Sequence, residues 1–167
     1  MGAMTTVTSD ETGAPMPAPR ISLQDLTPEI YRAMIALDGA VARCGLERSL
    51  LELVRIRASQ INGCAYCVDM HTLDARAAGE REQRLYALPV WRETPFFTPR
   101  ERAALELTEA ATRLPGGGVS DEVYARTARH FSEEELGDLI WAITVINAWN
   151  RIGVTARLVP GEYKPGE

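Results

Sequence analysis

No stretch of this sequence approaches the roughly 20 uninterrupted apolar residues that a membrane-crossing helix requires, and its first residues hold no basic segment leading into an apolar one. A cytoplasmic protein with no membrane partner is expected. Positive charge is also in short supply: 18 Lys and Arg stand against 23 Asp and Glu, for a formal net charge of −5. Nucleic-acid affinity rests on clustered cations that neutralise phosphates, so no nucleic-acid partner is expected. Cysteine is sparse at three residues, an odd number that does not make the stapled framework of a small secreted domain. No segment alternates apolar and polar residues long enough for a sheet, no unit repeats, and no GxxxxGK[ST] phosphate cradle occurs.

What remains is ordinary globular composition, 46% hydrophobic and 25% charged over 167 residues, which suits one domain with a core of its own. Residues 1–20 are rich in Thr, Ser and Pro without an apolar period, and read as a flexible tail. The domain is expected over 21–160, with 161–167 loose. Its punctuation is helical throughout and predicts an all-α, compact multi-helix bundle of six to seven helices.

Thr27-Pro28-Glu29 supplies an N-cap and a first-turn proline for a helix whose face is Ile30, Met34, Leu37, Val41 and Cys44. A second helix from about Glu47 carries Leu50, Val54, Ala58 and Ile61 and ends in the turn pair Asn62-Gly63. A third opens around Cys64 and stops at Gly79. A short helix from Arg81 to Ala87 precedes Pro89. Thr98 with Glu101, and Ser132 with Glu135, read as capping boxes opening two more helices, with a further helix between them from Ser120. The last helix displays Leu136, Leu139, Ile140, Ile143, Ile146 and Ile152, a stripe wide enough for the core or a subunit interface.

The chemistry concentrates between Glu52 and His71. A helix starting at or just before Cys64 puts Cys64 and Cys67 one turn apart, with His71 four residues further along the same face. The start of a helix carries partial positive charge and unpaired N–H groups, which favour thiolate over thiol. A thiolate that attacks a peroxide becomes a sulfenic acid, and a second thiol one turn away condenses with it to a disulfide. A dithiol or thiol reductant must then reopen the bridge by exchange. An unperturbed imidazole changes charge near neutral pH, which suits His71 to moving the proton, and two helices reversing at Asn62-Gly63 are expected to return Glu52 towards its ring.

Glu52, Asn62-Gly63-Cys64, Cys67 and His71 together resemble the signature of alkylhydroperoxidase D and the wider carboxymuconolactone decarboxylase superfamily. The likeness runs on through Asp74-Ala75-Arg76-Ala77-Ala78-Gly79-Glu80, and Asn147-Ala148-Trp149-Asn150-Arg151 resembles the family's second half. Ala65-Tyr66 stand between the cysteines, whereas the best-known alkylhydroperoxidase D has a histidine beside the second cysteine, so the chain is most similar to the broad AhpD-like group. The resemblance implies an AhpD-like helical fold, a trimer or hexamer, and peroxide reduction with no cofactor and no metal. By position it implies Cys67 as the attacking cysteine, Cys64 as the resolving one, and Glu52 and His71 as the proton relay.

The expected function is therefore a thiol-dependent alkyl hydroperoxide reductase. Two alternatives share the fold: a decarboxylase or related lyase on a cyclic acid using His71 as acid/base, and an oligomeric redox sensor without turnover. A zinc site needs ligands beyond Cys64, Cys67 and His71, and covalent haem needs a histidine where Val68 stands. Cys44 lies on an apolar stripe and reads as a small core residue. His130 reads as a helix-end residue, and Trp141 and Trp149 as core or interface.

Overall fold

Helix starts fall where the chain offers caps. Thr98 and Ser132 each accept the backbone N–H three residues on, while Glu101 and Glu135 reach back to the cap N–H, so both predicted capping boxes form. Ser120 likewise accepts from Val123 N. Thr27 does not cap through its side chain; its hydroxyl donates to Leu23 O, closing the short turn that precedes it.

The computed structural model describes residues 18–166, leaving residues 1–17 of the expected tail outside. Among the described residues there is no strand. The α-helices are α1 Leu23–Leu26, α2 Pro28–Ala42, α3 Arg48–Asn62, α4 Ala65–Ala77, α5 Glu82–Ala87, α6 Pro99–Thr112, α7 Asp121–Ala128 and α8 Glu133–Ala156, with 3-10 segments at Leu88–Glu93 and Leu114–Gly116. The fold is the expected all-α bundle, with eight helices instead of six to seven. The extra one, α1, is a single turn of four residues, too short to display a helical period.

α3 is the axle of the bundle, packed by α4, α6 and α8, and every residue from Leu50 to Ser59 is buried. Its apolar face joins α2, α6 and α8 in one core cluster around Leu50, Val54, Leu139 and Ile143, while Leu53 and Ile56 join a second with Leu88, Trp91 and Leu105. Enclosure on all sides also buries Glu52, Arg55 and Arg57, and each is paired as burial demands. Arg55 bonds Glu52 at 2.9 Å, and Arg57 bonds Glu109 of α6 at 2.8 Å.

The predicted face of α2 is only half used. Val41 is buried, and Met34 and Cys44 pack against the first cluster, but Ile30 is 73% exposed and Leu37 39%. α2 packs on α8 and α1, and those contacts leave Ile30 and Leu37 uncovered. Trp141 faces outward at 55% exposure, while Trp149 packs inward and meets Tyr31 edge-on at 5.6 Å. His130 follows the end of α7, as its position suggested.

The chain beyond α8 is not helical, but it is anchored: Gly161 N donates to Asp69 Oδ2 and Tyr163 Oη to Asp74 Oδ1, both at 2.8 Å. At the other end Arg20 N donates to Ala156 O at 2.9 Å.

Candidate active site

The reversal between α3 and α4 builds the site. Gly63 takes a left-handed conformation (φ 67°) that ends α3, which is why a residue without a side-chain penalty stands there. Cys64 follows as the N-cap of α4, in the position where Ser or Asp commonly serves, and its Sγ accepts the Cys67 N–H at 3.4 Å. Cys67 sits one turn in. Both sulfurs are buried, at 2% and 3% exposure, in a small cluster with Ala58 and Ile146 that Tyr66 and Trp149 border.

The helix start and the neighbouring thiol act together on Cys64. The Cys67 side chain bonds its sulfur, burial opposes ionisation, and the Cys67 N–H and Asn150 add support, leaving its pKa near 7 instead of 9. Cys67 moves the opposite way. Its proton is held by the bond to Cys64, burial and the Cys64 charge add to the rise, and Asn150 and Ser59 only partly offset it. The two sulfurs are thus coupled: the bond between them and the helix start ease loss of one proton from the pair, and burial and the first charge oppose loss of the second.

Glu52 and His71 meet as the antiparallel reversal suggested: His71 Nδ1 and Glu52 Oε2 lie 2.9 Å apart, at 6% and 3% residue exposure. Burial pushes the Glu52 carboxyl up, but the His71 bond and charge, with Arg55, outweigh it and hold the group below its ordinary 4.5. Glu52 is therefore an anion, and Nδ1–H of His71 donates to it. Whenever the ring is neutral, that tautomer leaves Nε2 as the acceptor nitrogen.

Several participants come from parts of the chain that carry no local motif. Asn150 of α8 is 1% exposed, donates to Ser59 Oγ and accepts from Asn62 Nδ2, both at 2.9 Å, and so ties α8 to α3 beside the two sulfurs. Gly153 is where α8 crosses the cysteines. A β-carbon there would stand 2.8 Å from Cys64 Sγ and 3.6 Å from Cys67 Sγ. Asp74, one turn beyond His71, brings a carboxylate oxygen into a cluster with Glu52 and His71 whose candidate ligand atoms lie within 4.8 Å of one another. Those three side chains are the set that could hold a divalent ion, but Glu52 and His71 already bond each other and Asp74 accepts from Tyr163. Cys44 belongs to a different cluster from Cys64 and Cys67.

Cys64 opens on a cavity of about 180 Å³ bounded by Gly63, Ala65, Tyr66, Val154, Arg157, Leu158 and Pro160. Cys67 is not among the residues that line it. Among the described residues no helix is long and apolar enough to cross a membrane.

The site has relatives. YdfG of Bacillus subtilis, an uncharacterized protein, is 45% identical over 81% of this chain and 92% of its own length. The alkyl hydroperoxide reductase AhpD of Mycobacteroides abscessus is 37% identical over a shorter stretch, 41% of this chain and 47% of its own. Among solved structures, ATU0492 of Agrobacterium tumefaciens, a protein of unknown function linked to AhpD-type antioxidant defence, superposes with a TM-score of 0.84 at 40% identity, covering 87% of this chain and all of that one. The model of the carboxymuconolactone decarboxylase family matches residues 28–110, the stretch that holds Glu52, both paired cysteines and His71. The chain belongs to the carboxymuconolactone decarboxylase family, in its AhpD-like part.

Proposed function

We propose that the chain is a dithiol-driven reductase of organic hydroperoxides. The observation that carries this reading is Cys64 capping α4 with its sulfur bonded by the Cys67 N–H, at the floor of a cavity, with a second thiol one turn behind. The Cys67 bond and the helix start lower the Cys64 thiol towards neutral pH, which favours the thiolate that the reaction needs.

The Cys64 thiolate attacks the terminal peroxide oxygen. An S–O bond forms, the O–O bond breaks, and the alkoxide leaves as alcohol with a proton from the His71 imidazolium. Neutral His71 then takes the Cys67 proton, the Cys67 sulfur attacks Cys64, and hydroxide departs as water with that same proton. The peroxide has gained two electrons and the dithiol has lost them. An external dithiol restores both thiols by exchange, and ionisation of Cys64 recharges His71. Glu52 holds the ring by its Nδ1–H throughout.

The family resemblance gives the attack to Cys67; the bond from Cys67 N to the Cys64 sulfur and the cavity that Cys64 lines support Cys64. Single-turnover reaction with one equivalent of tert-butyl hydroperoxide, followed by dimedone trapping of sulfenic acid, separates the two orders. Cys67→Ser is expected to accumulate sulfenate and Cys64→Ser to accumulate none, whereas the reverse pattern returns the attack to Cys67. With dithiothreitol as donor, both single variants should lose catalytic turnover. Steady-state turnover that survives Cys64→Ala and Cys67→Ala together would overturn the dithiol reading in favour of acid/base chemistry at His71.

The same reading covers assembly. Ile140 and Trp141 on the outer side of α8 are 44% and 55% exposed, a surface suited to another copy of the chain in a homo-oligomer.

A further inference from the structure

We propose that the cavity above Cys64 selects hydroperoxides bearing a carboxylate, and that Arg157 is the residue that receives it. The proposal rests on the peroxide-reducing reading of the site and adds the class of substrate. Hydrogen peroxide gains nothing from apolar walls, yet the cavity is bounded by Ala65, Tyr66, Val154, Leu158 and Pro160. Its volume of about 180 Å³ accommodates a short branched alkyl group. Arg157 is the cation among the lining residues.

The backbone at Arg157 points the same way. α8 ends in a reversal in which Leu158 N and Arg157 N both return to Gly153 O, a turn that requires a left-handed residue at position 157. Glycine is the usual occupant, because a β-carbon is disfavoured there. This chain has arginine instead (φ 58°), the one non-glycine residue with positive φ among those described. Strain of that kind persists where a side chain is wanted for its own sake.

A helix C-terminus does favour a cation, but Arg20 already meets that need by donating Nη1 to Thr155 O at 3.1 Å. Among the described residues Arg157 has no ion pair or side-chain hydrogen bond, whereas the acids of α4 that face the C-terminal segment are engaged: Asp69 accepts from Gly161 and Asp74 from Tyr163. A half-buried arginine with no ion pair among the described residues, lining the same apolar cavity as Cys64, is an arrangement that receives a carboxylate bidentately.

The test compares 4-hydroperoxy-4-methylpentanoate, its methyl ester and tert-butyl hydroperoxide, with dithiothreitol as donor, in the parent chain and in Arg157→Gly, Arg157→Gln and Arg157→Lys. The acid is expected to show a kcat/KM about fivefold above the ester, chiefly through KM, as one half-buried charge pair allows. That ratio should fall to about one in Arg157→Gly and Arg157→Gln and be partly kept in Arg157→Lys. Glycine suits the left-handed backbone better than arginine does, so selectivity lost in Arg157→Gly is not a folding defect. Equal use of acid and ester by the parent, or a preference that survives Arg157→Gln, overturns the inference while leaving the peroxidase reading intact. If the parent consumes none of the three faster than Cys64→Ser does, the peroxidase reading falls and the inference falls with it.

Discussion

Replacing Gly153 by alanine sets two effects of opposite sign against each other in one helix. Within an α-helix, Ala is favoured over Gly by about 1 kcal/mol. The new β-carbon, however, would stand 2.8 Å from Cys64 Sγ, where non-bonded heavy atoms settle at about 3.5–4.0 Å. The sulfur must retreat by about 0.7 Å or more. It has little room, being 2% exposed and bonded to Cys67 N. Overpacking of this size costs about 1–3 kcal/mol, so the net change should lie between neutral and about 2 kcal/mol destabilising. Gly137, in the same helix, provides the reference: a β-carbon there meets nothing within 4 Å, so Gly137→Ala should stabilise by about 1 kcal/mol. The difference between the two alanines, about 1–3 kcal/mol, isolates the contact with sulfur. Urea midpoints at constant m, or melting temperatures at about 2–4 °C per kcal/mol, read it. A displaced Cys64 also loses part of its bond from Cys67 N, so alkylation by iodoacetamide at pH 7 should slow in Gly153→Ala and not in Gly137→Ala. If both alanines raise the midpoint equally and leave alkylation unchanged, α8 does not press on the cysteines.

Glu52→Gln should destabilise by about 3 kcal/mol at pH 7, near the lower end for breaking a buried pair, because Asp38 still faces Arg55 at 3.4 Å. Since folding lowers the Glu52 pKa, its contribution is complete above the ordinary value of 4.5 and is lost as pH falls through the folded value, so the urea midpoints of parent and variant should converge on acidification; a gap that widens would contradict the assignment. Alkylation of Cys64 should titrate with a midpoint near 7, and Cys67→Ala, by removing the thiol that bonds it, should move that midpoint up towards 9; an unmoved midpoint would mean the helix start alone ionises the sulfur. Light scattering at micromolar concentration should give a mass above that of one 18.4 kDa chain, and Trp141→Glu should lower it.

What could be read from the sequence and what could not divide along physical lines. Capping residues act on their own backbone, so Thr98 with Glu101, Ser132 with Glu135, and Gly63 could be read in place. The cysteine, cysteine and histidine spacing is likewise local to one helix, and Glu52 needed only one reversal to return to it. Asn150 and Gly153 act on groups about ninety residues away, and glycine within a helical pattern reads merely as a weakness until the neighbour it admits is known. Arg57 reads as a solvated helix residue because its partner Glu109 lies on α6. Ile30 and Leu37 show the converse: periodicity identifies a face, but only the packing of distant elements decides which of its residues are covered.

The few residues beyond α8 have a practical consequence. Leu158 and Pro160 wall the cavity, while Gly161 and Tyr163 clip the segment to Asp69 and Asp74. A cut within this segment, or a bulky group attached to it, would therefore disturb the surroundings of the cysteines without breaking a helix. Proteins altered only there should not be expected to share one reactivity at Cys64.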